Sequence, residues 1–93
     1  EEIDVKLAIN GWEFSKTTIL SGEYDIIILD EINVAMACKL LDASAVAKFL
    51  TVDYKDLQKK PEIILTGRYA PSQIIEINIS KIIATPNKVD WLI

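Results

Sequence analysis

The chain has no histidine, so no imidazole is available to bind a metal, shuttle a proton or complete a nucleophile–base pair. Its single cysteine, Cys38, excludes an internal disulfide. No apolar run approaches the roughly 18 residues of a membrane span, and no signal-peptide pattern opens the chain. It begins Glu1-Glu2 rather than with methionine, as a piece of a longer polypeptide would. Positive charge is in deficit: 10 Lys and Arg against 14 Asp and Glu give a net charge of −4. That balance disfavours bulk attraction to nucleic acid or anionic membranes. These absences lead us to expect a cytoplasmic protein with neither nucleic-acid nor membrane partners.

What is present suffices for one core. The 93 residues are 51% hydrophobic and 26% charged, and form a single expected domain over residues 1–93. A chain of this size buries roughly 60–70% of its unfolded surface. Val5, Ala8, Ile9, Trp12 and Ile19 recur mostly at three- and four-residue steps, which predicts a helix stopping at Gly22. Ile3, Val5, Leu7 and Ile9 also alternate ahead of Asn10-Gly11, so a strand and turn compete for the same segment. Asp25 to Asp30 predicts a strand. Asp42 can N-cap a helix reaching about Leu50, with Leu41 and Val46 as a hydrophobic staple. A helical turn is expected from Tyr54 to Lys60, a strand from Glu62 to Thr66, a helix from Pro71 through about Ile77, and a last strand from Ile79 to Ala84.

Two segments carry chemistry. In YDIIILDEIN (24–33) a run of large aliphatics ends abruptly in Asp30 and Glu31. A strand apolar on both faces belongs inside a parallel sheet, and open α/β sheets place their ligands at the carboxyl ends of such strands. In ILTGRYAP (64–71) a second strand is followed at once by small, polar and basic residues. Gly67 allows close backbone approach, Arg68 offers a fork of donors to phosphate or carboxylate, and the next helix start presents N–H groups. If the two strands are parallel neighbours, Asp30, Glu31, Thr66 and Arg68 converge at one edge, roughly 5–10 Å apart. The plainer reading is a solvated acidic loop, an ordinary Thr-Gly turn and an arginine paired with a surface acid.

Hydrophobic residues followed by Asp-Glu form the Walker B pattern of P-loop NTPases, whose carboxylates serve Mg²⁺ on nucleotide phosphates. From Trp12 to Glu76 the chain resembles the P-loop-type ATP:corrinoid adenosyltransferases, with GEYDIIILDEINVAM, LLDASAVAKFL, Lys60-Pro61 and EIILTGRYAPSQIIE in order. LDEIN and LTGR-x-AP at this separation make a specific pairing. The resemblance implies a partial P-loop NTPase-like, three-layer α/β fold with a mostly parallel sheet of about three strands. It implies ATP, Mg²⁺ and a corrinoid (cobalamin) as ligands. Glu31 is the implied catalytic residue and, with Asp30, serves the metal; Asn33 belongs to the loop beside them, and Thr66, Gly67 and Arg68 line the same edge.

The chain also departs from the pattern. It contains no G-x-x-x-x-G-K-[ST], and Lys16-Thr17-Thr18 lacks the preceding glycines. Adjacent strand residues point to opposite faces, so Asp30 and Glu31 can both reach one metal only if the backbone turns between them. In place of the family's Ala-Asp, Thr-Glu and Lys-His-Pro segments, the tail reads INISKIIATPNKVDWLI. The expected protein is therefore the C-terminal half of such an adenosyltransferase, inactive by itself. A noncatalytic module derived from the family and another Walker-B NTPase, with Glu31 as general base, are the alternatives. Without the strand that leads into Walker A, either the last strand moves beside the Thr66 strand or a second copy pairs at an exposed sheet edge.

Overall fold

The computed structural model describes residues 2–77 and 79–84. Helix α1 (Glu2–Ser21) leads into strand β1 (Ile26–Leu29), then the short helices α2 (Ile32–Ala37) and α3 (Ala43–Lys48). The α3 helix continues through a π-type turn (Phe49–Asp53) and a 3-10 turn (Tyr54–Asp56) before β2 (Glu62–Leu65), α4 (Ser72–Ile75) and β3 (Ile82–Ala84). The three strands form one parallel sheet in the order β1-β2-β3, which makes the domain α/β.

Helix α1 decides the competing readings of the first segment. The alternation of Ile3 to Ile9 yields to a continuous 20-residue helix that runs through Asn10-Gly11. Trp12 and Ile19, seven residues apart, are the buried anchors, with Ala8 packed beside them. The Trp12 ring meets Phe49 edge-on at 5.4 Å. Gly22 ends the helix with φ +71, the left-handed conformation that glycine adopts without a Cβ penalty. At α3 the Asp42 carboxylate accepts from the Ser44 amide at 3.0 Å, and Leu41 and Val46 are both buried, so cap and staple form as expected. The helical turn expected as far as Lys60 ends at Asp56, and α4 ends at Ile75 rather than Ile77.

Strand register places Ile27, Ile63 and Ile82, then Leu29, Leu65 and Ala84, on one face of the sheet. That face packs on Trp12, Ile19, Val46, Leu50, Tyr54 and Ile74. The Tyr54 hydroxyl donates to the Pro61 carbonyl at 2.7 Å beneath the sheet. Burial, and secondarily the Glu62 carboxylate, hold its pKa above the ordinary tyrosine value. The opposite face is open: Ile26, Ile28 and Ile83 are 57%, 61% and 48% exposed. Strand β3 pairs directly with β2, Ile63 against Ile82 and Leu65 against Ala84, the first of the two arrangements expected above. It is shorter than expected, Ile82–Ala84 in place of Ile79 to Ala84. The tail segment 85–93 lies outside the described residues.

Candidate functional site at the carboxyl edge of β1 and β2

Because β1 and β2 are parallel neighbours paired Leu29 to Leu65, Asp30 and Thr66 leave the sheet side by side. The Thr66 hydroxyl accepts from the Glu31 amide at 2.8 Å and donates to Asp30 Oδ1 at 2.9 Å. One hydroxyl thus fixes both acidic residues, each through a different group, while both carboxylates stay exposed. Glu31 has φ 63 and ψ 16, in the left-handed region. Here the backbone leaves the alternating path of the strand, the turn required if Asp30 and Glu31 are to reach one ligand. A left-handed glutamate costs on the order of 1 kcal/mol or more, and it persists where the surroundings over-determine it. Here the over-determination comes from the Thr66 hydroxyl and from the Asn33 amide, which donates to the Thr66 carbonyl at 3.1 Å.

Asn33 lies elsewhere than expected. It is the second residue of α2, not part of a loop, and it is completely buried. Its side-chain nitrogen donates to the Gly67 carbonyl at 2.9 Å and lies 3.4 Å from the Leu65 carbonyl. Its Oδ1 is buried with no protein partner. Asn33 therefore ties the loop after β2 to the start of α2. Sequence reasoning missed helix α2 altogether, although Ile32 and Met36, four residues apart and both buried, were its signal.

Gly67 has φ +105, and a Cβ there would come within 3.2 Å of both Glu31 Cα and Val34 Cγ2. Its freedom serves the close approach of the two strand-end loops. Arg68 is exposed at the same edge, followed by Tyr69 at φ 63. The expected anion site at the following helix start loses its support, since α4 has only four residues and so little aligned dipole. Lys16, Thr17 and Thr18 lie within α1, where the threonine hydroxyls donate back to Glu13 and Phe14 carbonyls.

Beside Asp30, a cleft of about 210 Å³ opens between α1 and the end of β1, walled by Gly11, Trp12, Ser15, Ile28 and Leu41. Among the described residues no three His, Cys, Asp or Glu side chains converge to hold a metal. A carboxylate pair still suits Mg²⁺, which keeps several waters and takes one or two carboxylates together with substrate phosphates. No described helix is long and apolar enough to cross a membrane.

The family model for ATP:corrinoid adenosyltransferase BtuR/CobO/CobP matches residues 1–82. A corrinoid adenosyltransferase of Sinorhizobium sp. is 34% identical over 77 residues, covering 80% of this chain and 33% of the relative. An uncharacterized protein of Nostoc sp. is 39% identical over 67 residues, covering 72% of this chain and 17% of the relative. The chain spans about a third and about a sixth of the lengths of these two proteins. No solved structure matches it significantly.

Proposed function

Since the chain belongs to the ATP:corrinoid adenosyltransferase family, we propose that it supplies the carboxylate edge of an enzyme moving the adenosyl group of ATP to the cobalt of a reduced corrinoid. The observation that carries this reading is the Asp30–Thr66–Glu31 hydrogen-bond unit, formed between the two motifs on which the family resemblance rests. In that reaction the reduced cobalt attacks the 5′-carbon of ATP and triphosphate leaves. The protein must hold the phosphates, offset their charge and exclude water.

In this assignment Asp30 and Glu31 hold Mg²⁺, which would supply counter-charge to the phosphates. Thr66 fixes Asp30 through Oδ1 and leaves Oδ2 to face the ligand. Arg68 takes a phosphate oxygen, and Gly67 keeps the two loops close enough for both motifs to meet one ligand. Asn33 acts from behind as the tie between them. The cradle of backbone N–H groups and its lysine, which the Walker A loop provides in P-loop enzymes, is not encoded among these 93 residues. We accordingly read residues 1–93 as the Walker B and Thr-Gly-Arg half of a P-loop NTPase-like domain.

The test compares the 93-residue chain with the full-length gene product. Calorimetric titration of the chain with Mg·ATP is expected to show millimolar affinity at best, and a reduced-cobalamin assay no transfer. Micromolar binding or turnover by the isolated chain would overturn the half-site reading. In the full-length product Glu31→Gln is expected to abolish transfer with little change in melting temperature; matching losses of rate and stability would make Glu31 a structural residue instead.

A further inference from the structure

Among the described residues, Glu31, Lys39 and Tyr69 are the non-glycine residues with a left-handed backbone. Glu31 is held by the Thr66 hydroxyl, and Lys39 closes helix α2, its amide donating to the Met36 carbonyl. Tyr69, at φ 63, has neither cause. It lies in a bend beyond β2, ends no helix, and is 63% exposed. A bulky side chain in this conformation is an outlier, and here burial does not offset the strain. Strain of this kind gathers where a side chain is presented to a ligand.

Tyr69 lines an open cleft of about 460 Å³. The buried Met36 and Leu41 give this cleft apolar surface, while Ser44 of α3 and Gln73 of α4 give it polar groups. Leu41 also walls the cleft beside Asp30, so the two clefts are neighbours. Gln73 Nε2 donates to Ser44 Oγ at 3.3 Å, a long bond that uses one of its two hydrogens. The second hydrogen and the amide oxygen remain as a donor and acceptor side by side.

Resting on the reading that this chain handles ATP, we propose that the cleft seats the adenine base, with Tyr69 stacked on its face and Gln73 reading its edge. The Gln73 oxygen accepts from the 6-amino group and its nitrogen donates to N7, the bidentate match of a carboxamide to adenine. On that edge hypoxanthine offers acceptors alone, so the Gln73 oxygen meets no donor and inosine is rejected. Arg68 directly precedes Tyr69, with Cα atoms of neighbouring residues about 3.8 Å apart. Phosphate and base contacts from adjacent residues fit a single nucleotide.

Magnetic resonance titration of the 93-residue chain with adenosine, which carries no phosphate, reads the cleft alone. Shifts centred on Tyr69, Ser44 and the Gln73 side-chain amide are expected, with inosine binding at least about fivefold more weakly. Tyr69→Ala should weaken adenosine binding at least about fivefold, whereas Tyr69→Phe should retain it, since stacking uses the ring. Gln73→Ala should bring the two nucleosides to equal affinity. Tyr69→Gly should also lose adenosine yet melt no lower than the wild type, because glycine relaxes the left-handed backbone. A lower melting temperature would make Tyr69 a structural residue and overturn the assignment. So would an absence of shifts, shifts centred elsewhere, or equal affinity of the unaltered chain for inosine. Adenosyl transfer by the full-length product is a separate readout. Its absence would overturn the function proposed above, whereas transfer with an unchanged KM for ATP in Tyr69→Ala would overturn the cleft assignment alone.

Discussion

At the amino end of the sheet Asp25, Lys59, Lys60, Glu62 and Lys81 surround an open depression, whereas at the carboxyl end Asp30 lines a cleft against α1, and Glu31 and Arg68 are exposed on the loops that follow β1 and β2. The amino end carries more charge and fixes it less. Its Lys59–Asp25 contact is 3.4 Å long between largely exposed side chains, and Lys81 donates to the Lys60 carbonyl from an exposed position. Pairs of this kind contribute little to stability and move freely in solvent. At the carboxyl end, one threonine hydroxyl, one buried asparagine and one glycine fix the backbone beneath each acid. Charges that must be oriented before a ligand arrives need support of this kind, and the Asp30 carboxylate has it.

The substitutions that break this contrast most strongly lie behind the acids. Asn33→Ala removes the side-chain donor to the Gly67 carbonyl and opens a void, and is expected to cost about 3 kcal/mol by urea denaturation. Gly67→Ala forces a side chain into a left-handed backbone against Glu31, for a cost of about 2 kcal/mol, and should abolish transfer in the full-length product.

Tyr54 sharpens the comparison, because its buried hydrogen bond to the Pro61 carbonyl lies just ahead of β2, toward the amino end. Tyr54→Phe should cost about 1 kcal/mol. Since the folded-state pKa is raised, this tyrosine's contribution is complete below the unfolded value near 10.0 and fades as pH climbs through the folded value. Tyr54→Phe should therefore flatten the alkaline limb of stability against pH.

Thr66→Val keeps shape while releasing Asp30 and the Glu31 amide, so stability should fall by at most about 1 kcal/mol. In the full-length product kcat is expected to fall further than that change in stability alone would explain. Smallest of all, Lys59→Ala at the amino end should leave the melting temperature and any nucleotide affinity unchanged within measurement error.

How much of this was legible beforehand varies with the physics involved. The strands were readable because IIIL and EIIL are short aliphatic blocks bounded by charge and glycine, a pattern that needs no partner to be recognised. The convergence of Asp30, Glu31 and Thr66 followed once those strands were taken as parallel neighbours. What stayed hidden depended on tertiary contacts. Glutamate gives no hint of a left-handed backbone, since the cause is a hydroxyl that comes from Thr66. Asn33 reads as a polar loop residue until its donor finds carbonyls on another strand. In Ile3 to Ile9 two periodicities coexisted, and helix prevailed because Trp12 and Ile19 extend its core-facing side.

The side-chain bonds that shape the carboxyl edge join residues 32 to 36 positions apart in sequence. In kinetic terms, no early local structure can contain this site. It appears only once β1 and β2 have closed the intervening chain and paired, a step of high contact order that ranks among the slower events of folding. The Glu31 and Asn33 amides, whose acceptors lie on Thr66, should consequently exchange with solvent only through openings that separate the two strands. Exchange at those two positions would report the integrity of the whole domain, and a loosened core would disarm the site before any of its acids was changed.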